Sequence, residues 1–270
     1  MRISAWLVIL LFPNIADPLE PIGRVDQPTI RETSGLVKSR KFRDIFWILS
    51  DSGNPPMIHA IRRDGRVVRS YRVGVPNIDW EDIATDDLGH LYLGETGNNG
   101  HLLPLRAVYR VNEPDPSVPM VGDLPVKVAS YYRFASKAER FDAESLFIVD
   151  KSAYLIEKRL DGLVPGLFTI PLDPPATLLR PAIPKRVADL SGFTEPATGA
   201  SLSTDGKRLA VVSNRETRIY DHAPDGRLTP RATVRYKRRD VESIAWDGLN
   251  LILATEAGEL FRIAATAWME

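Results

Sequence analysis

Cysteine is absent from this 270-residue chain, histidine is scarce, and neither sign of charge predominates. Without cysteine there are no disulfides, no thiolate metal sites, no cysteine nucleophile and no lipobox for lipidation. A core of this size needs no covalent staple, so the absence leaves export open. Lys plus Arg and Asp plus Glu each number 35, and the resulting zero net charge gives no global pull toward nucleic acid or an anionic membrane. Any electrostatic function has to come from local clustering. The four histidines, His59, His90, His101 and His222, show no HExxH or other metal-ligand spacing. No GxSxG elbow, P-loop or GxGxxG run occurs either. The apolar run Ala5–Phe12 is too short to span a bilayer. Behind the positive Arg2 and ahead of small residues near Ala16, it reads as a secretory signal over residues 1–17, although Asn14 is a poor residue for the −3 position. The mature chain, 18–270, is then expected as one domain in the periplasm or outside the cell, without a membrane span.

What the chain does have is a repeated, acid-bearing strand start. It reads Glu32-Thr33-Ser34-Gly35-Leu36, Asp79-Trp80-Glu81-Asp82-Ile83, Asp142-Ala143-Glu144-Ser145-Leu146, Thr198-Gly199-Ala200-Ser201-Leu202 and Asp240-Val241-Glu242-Ser243-Ile244. The copies recur at roughly 42 to 63 residues, near the period of propeller blades. Short β-rich runs bounded by turn residues fill the intervals, with Asp-Gly at Asp64-Gly65, Asp161-Gly162, Asp205-Gly206, Asp225-Gly226 and Asp247-Gly248. Four strands per unit give an all-β propeller of five blades. A sixth blade would have to hide between Val111 and Phe141 or between Pro171 and Pro196. The last unit lacks its fourth strand, and the segment around Gly23–Ile30 is expected to supply it.

In a propeller the first strand of each blade lines the central channel. Strand residues two apart point the same way, so the first and third acids of each copy are expected to face alike. Glu32, Asp79, Glu81, Asp142, Glu144, Asp240 and Glu242 then converge on one mouth. Converging carboxylates must hold a cation, share protons or sit in water. An all-oxygen donor set without Cys or His suits a hard ion, Ca²⁺ ahead of Mg²⁺. A second tier comes from the ends of the second strands. Asp51 and Asn54, then Glu95, Asn98 and Asn99, are expected to reach a bound ion or ligand. Lys158, Arg159 and Arg215 either hold an anionic group or balance the acids. Glu81, Glu144 and His101 are the candidates for a general base. The basic run Arg235, Lys237, Arg238, Arg239 reads as a solvated outer strand, and nucleic-acid binding is not expected. Trp47, Trp80 and Trp246 read as packing between blades.

These residues resemble a family of exported bacterial β-propeller proteins of poorly defined function. The resemblance is carried by Ser34-Gly35-Leu36, Ser50-Asp51-Ser52-Gly53-Asn54, Asp79-Trp80-Glu81-Asp82-Ile83-Ala84 and Gly94-Glu95-Thr96-Gly97-Asn98-Asn99. Asp142-Ala143-Glu144, Glu157-Lys158-Arg159 and Thr198-Gly199-Ala200 extend it. Such proteins are grouped with six-bladed, TolB-like propellers, in a superfamily that includes calcium-dependent phytases and lactonases. The resemblance implies a metal site at Asp79, Glu81, Asp142, Glu144, Asp240 and Glu242, with Thr198 and Ala200 leaving a gap at the fourth copy. Three functions follow as expectations. The first is a monomeric module that binds Ca²⁺ and a small-molecule or protein ligand at its mouth. The second is a metal-dependent hydrolase of an ester, lactone or phosphoester. The third is a protein-interaction propeller without metal.

Overall fold

The computed structural model describes residues 17–98, 104–134, 141–193, 195–237 and 239–269. Asn99, His101 and most of the signal-like segment lie outside them. Strand β1 (Glu20–Arg24) precedes four runs of four strands. The first is β2 (Thr33–Lys38), β3 (Phe46–Ser50), β4 (Met57–Ile61) and β5 (Val67–Arg72). The second is β6 (Trp80–Thr85), β7 (His90–Glu95), β8 (Arg106–Asn112) and β9 (Val126–Tyr132). The third is β10 (Ala143–Val149), β11 (Ser152–Glu157), β12 (Gly166–Pro171) and β13 (Lys185–Asp189). The fourth is β14 (Gly199–Leu202), β15 (Arg208–Val212), β16 (Glu216–His222) and β17 (Leu228–Arg235). The chain ends with β18 (Val241–Asp247), β19 (Asn250–Thr255) and β20 (Glu259–Ile263).

Each run is an antiparallel sheet in chain order, and β18–β20 take β1 as their outer strand, making five four-stranded blades. The six blades implied by the family resemblance are not formed. The segments in which another blade would have to hide supply the outer strands β9 and β13, each preceded by a strap to the blade before. Leu124 N donates to Arg72 O at 2.7 Å, and Ala182 N donates to Tyr131 O at 2.9 Å. These straps cover outer edges that would otherwise offer unpaired backbone groups.

The ring closes through β1 on β20, with Glu20 opposite Arg262 and Arg24 opposite Glu259. The closing strand therefore lies a few residues before the Gly23–Ile30 expected from the sequence. Pro21 disguises it, because proline weakens a strand pattern yet is tolerated on an outer edge, where no N–H is required. Residues 25–32 run along the seam, where Val25 N donates to Gly258 O at 2.9 Å.

Apolar side chains from adjacent blades fill the spaces between them. Trp47 and Trp80, both fully buried, share one cluster with Leu49, Ile58 and Leu93 of the first two blades. Trp47 Nε1 donates to Glu113 Oε1 at 2.7 Å. Trp246 Nε1 donates to Ser201 O at 2.9 Å and ties the fifth blade to the fourth.

A ring of five brings the inner strands close together. A Cβ on Gly35 would lie 2.7 Å from Ile83 N of the next inner strand, and one on Gly199 would lie 2.8 Å from Glu242 O. Backbone cannot yield as a flexible side chain can. Gly35→Ala is therefore expected to cost about 2 kcal/mol by forcing β2 away from β6, read as a lower urea midpoint with an unchanged m-value.

Candidate metal centre at the channel mouth

The repeated strand starts differ from simple alternation. Ladder register shifts between Trp80 and Asp82, between Ala143 and Ser145, and between Val241 and Ser243, so Glu81, Glu144 and Glu242 each occupy a bulge. A bulge leaves one residue outside the ladder and re-aims its side chain. The first blade has the same shift at Ser34, and the fourth pairs Gly199 with Val212 and Ala200 with Val211 without one. Of the two blades without a third-column acid, the first thus keeps the bulge, at Ser34, and the fourth has none.

Two groups of carboxylates result. One oxygen each from Asp51, Asp79 and Glu81 lie within 4.8 Å of one another, and so do one each from Glu81, Asp142 and Glu144. Glu81 belongs to both. It is 1% exposed, and its Oε1 has no hydrogen-bond donor. Burial, then Glu144, Asp51, Asp142 and Asp79, hold the Glu81 pKa well above the ordinary carboxylate range. Burial likewise pushes Glu144 up to about 7, although Lys158 opposes it. Glu242 is pushed up to about 8, by burial first and by Glu144 second. Burial and mutual repulsion both favour the neutral forms of Glu81 and Glu144 when no cation is present. An orphaned buried oxygen among hard donors fits a divalent ion equally well.

The surrounding residues fix these acids in place. Glu95 accepts the backbone N–H of Asp79 at 2.5 Å and of Ile78 at 3.2 Å, and its own burial pushes it up to about 7. Asn98 N donates to Asp142 Oδ1 at 2.8 Å, and Asn98 Nδ2 donates to Phe141 O at 3.1 Å. Gly97 passes so close that a Cβ there would stand 2.6 Å from Asp79 Cγ, so the loop after β7 forms a wall of the site only because it carries no side chain. Asn77 Nδ2 donates to Asp51 O at 2.9 Å and anchors the first blade's contribution. Asn77 stands two residues ahead of the second repeat, and nothing in the repeat pattern marks it. Ser34, by contrast, donates to the backbone of Glu81 and braces the bulge from the neighbouring blade.

The other sequence candidates lie around this centre. Lys158 Nζ donates to Glu144 Oε1 at 2.7 Å. Burial works against its ammonium, but Glu144 and Glu242 hold its pKa above the ordinary value. It therefore stands in the acidic mouth as a counter-ion. Arg159 turns to Glu157 at 2.8 Å and to Asp161, so its charge is already matched. Arg215 is exposed on the fourth blade, in a turn whose backbone is held by Ser213 Oγ. Glu32 is exposed and accepts from Asn54 Nδ2 at 2.6 Å; Glu32 and Asp240 belong to neither carboxylate group and line an 850 Å³ groove at the seam between the fifth and first blades. His59, His90 and His222 bond to Ser70, Asp86 and Gly206 O and lie outside the carboxylate groups.

No protein-family profile matches the chain, and no curated protein matches it. Solved structures do. One is a nidogen/laminin complex, at 11% identity and TM-score 0.48 over 88% of this chain and 84% of that chain. Another is a gluconolactonase from Xanthomonas campestris, at 14% identity and TM-score 0.47 over 92% of this chain and 85% of that one. A third is virginiamycin B lyase from Staphylococcus aureus, at 14% identity and TM-score 0.44 over 85% of this chain and 65% of that one. These neighbours are β-propellers, and the likeness concerns the fold alone.

Proposed function

We propose that this propeller binds divalent cations, calcium first, at its channel mouth, and that the ions both tie the ring together and present a docking point for an oxygen-bearing ligand. The observation that carries the reading is Glu81, a buried carboxylate common to two adjoining oxygen triads and short of a partner on Oε1. The triads draw Asp51 from the first blade, Asp79 and Glu81 from the second, and Asp142 and Glu144 from the third. An ion in either seat would therefore cross-link two blades that share no ladder hydrogen bonds. Calcium accepts six to eight oxygens in flexible geometry, whereas Mg²⁺ demands a tight octahedron and sheds water reluctantly. Carboxylates that meet across two blades suit the more tolerant ion. Lys158 pairs with Glu144 Oε1 of the second triad, so an ion there would compete with its ammonium for that oxygen. The signal-like segment supports placing this work outside the cytoplasm.

Isothermal titration of EDTA-stripped protein tests the reading. Calcium is expected to bind with release of protons near pH 7, and at least about tenfold more tightly than magnesium. Absence of a saturable calcium heat, together with an unchanged melting temperature in excess calcium, would remove the reading.

A further inference from the structure

We propose that Asp82 is a positioning residue for the cation seats, an anchor that fixes the inner strands of the second and third blades at the spacing the carboxylates require. This rests on the cation-binding reading above.

The inner strand of a blade has a ladder partner on one side only. Its other edge faces the channel with unpaired backbone N–H groups. Asp82 lies on that inner strand, next to Glu81, and is 2% exposed. Its Oδ1 accepts Ile83 N at 2.8 Å within β6, and its Oδ2 accepts Leu146 N at 2.8 Å from β10. The backbone of Ala200 in β14 lies near enough to the same carboxylate to favour its charged form slightly. One side chain therefore bonds N–H groups of two inner strands and lies beside a third.

The placement is specific to the site. Leu146 is two residues after Glu144, and Ala200 occupies the repeat position that holds Glu81 and Glu144 in the neighbouring blades. The bond from Leu146 fixes β10 against β6, and with it the distance between Glu144 and Glu81. The equivalent residues in the other repeats are Gly35, Ser145, Ser201 and Ser243, all shorter than aspartate. The blade that sends the anchor is also the one that supplies the carboxylate common to both triads. A buried acid below a cluster of acids adds repulsion, and backbone N–H donors from two strands are what compensate it.

The test uses calcium titration of the full chain, with Asp82→Asn, Asp82→Ser and the core variant Leu49→Ala. Asn keeps the shape but turns an amide N–H toward one of the donors. Ser is the residue that three other blades carry at this position, so it guards against a variant that fails to fold. Leu49 is fully buried between the first two blades and touches no ligand, so its truncation reports a fall in stability alone. Both Asp82 variants are expected to lose about 10-fold or more in calcium affinity, as loss of an outer-shell partner does, while Leu49→Ala stays within about twofold of wild type. Wild-type affinity in Asp82→Ser, or an equal loss in Leu49→Ala, overturns the positioning role and leaves the cation reading standing. A wild-type chain that binds no calcium fails the cation reading itself and takes this inference with it.

Discussion

Protein stripped of divalent ions is expected to lose at least about 3 kcal/mol of stability as pH rises from about 5 to about 8, and calcium is expected to abolish most of that loss. The sign follows from proton counting. Glu144 and Glu242 have folded pKa values of about 7 and about 8, raised from 4.5, and Glu95 is raised to about 7. Between the unfolded and folded values the native state holds protons that the unfolded chain has released. Stability then falls as pH rises through that window. One raised unit corresponds to about 1.4 kcal/mol, so two such groups exceed the figure given even after generous discount. The carboxylates whose pKa is lowered, such as Asp86 and Asp205, act the other way and below about pH 4, outside the window. Calcium replaces the missing protons and keeps the carboxylates ionised, so its stabilising effect grows with pH. Urea midpoints at pH 5, 6, 7 and 8, in EDTA and in excess calcium, measure both slopes. A midpoint that rises or stays level across this range in EDTA would show that the acids repel too little to need any counter-charge.

The ring and much of its mouth were legible in the sequence because both follow from repetition. Five copies of one strand start fix five inner strands, and circular closure makes neighbours of residues far apart in the chain. Asp79, Glu81, Asp142 and Glu144 were found in this way. What repetition could not supply was the direction of each side chain. Alternation treats all first- and third-column acids alike, yet the bulges at Glu81, Glu144 and Glu242 break alternation, and a bulge leaves no mark in composition. Glu32 and Asp240 share the repeat position but sit on exposed backbone beside the seam. Glu32 in fact has φ of 51°, outside strand geometry altogether. Asp51 joins the carboxylates of the mouth from a loop that the sequence assigned to ligand binding. Its turn residues were readable, but the contact with Asp79 depends on how two blades meet. Arg159 shows how local charge settles between two readings. Its place after β11 allows either an anion-binding group or a counter-ion, and the acids Glu157 and Asp161 on either side of it in the sequence pair with it, the second of these roles.

Glu81→Gln should separate metal binding from folding, because it is expected to move the two in opposite directions. Calcium affinity should fall about 100-fold or more, since both triads lose the same charged oxygen and the remaining acids cannot close either seat. Stability without calcium at pH 8 should rise by about 1–3 kcal/mol. A neutral amide of the same shape removes repulsion toward Glu144, Asp51, Asp142 and Asp79, and its N–H can donate to a neighbouring carboxylate. At lower pH the gain should shrink, because the raised pKa of Glu81 favours its neutral form as the pH falls. A buried carboxylate kept only for packing or hydrogen bonding predicts the reverse, a variant that is weaker at every pH and no different toward calcium. Titration calorimetry gives the affinity, and urea unfolding in EDTA at pH 5 and 8 gives the stability. Calcium affinity equal to wild type in Glu81→Gln would place the ion elsewhere. Lower stability at pH 8 would mean that Glu81 holds the inner strands together rather than straining them. The combination expected here, a tighter empty ring that no longer takes calcium, is the signature of an acid retained for its ion at a cost to the fold.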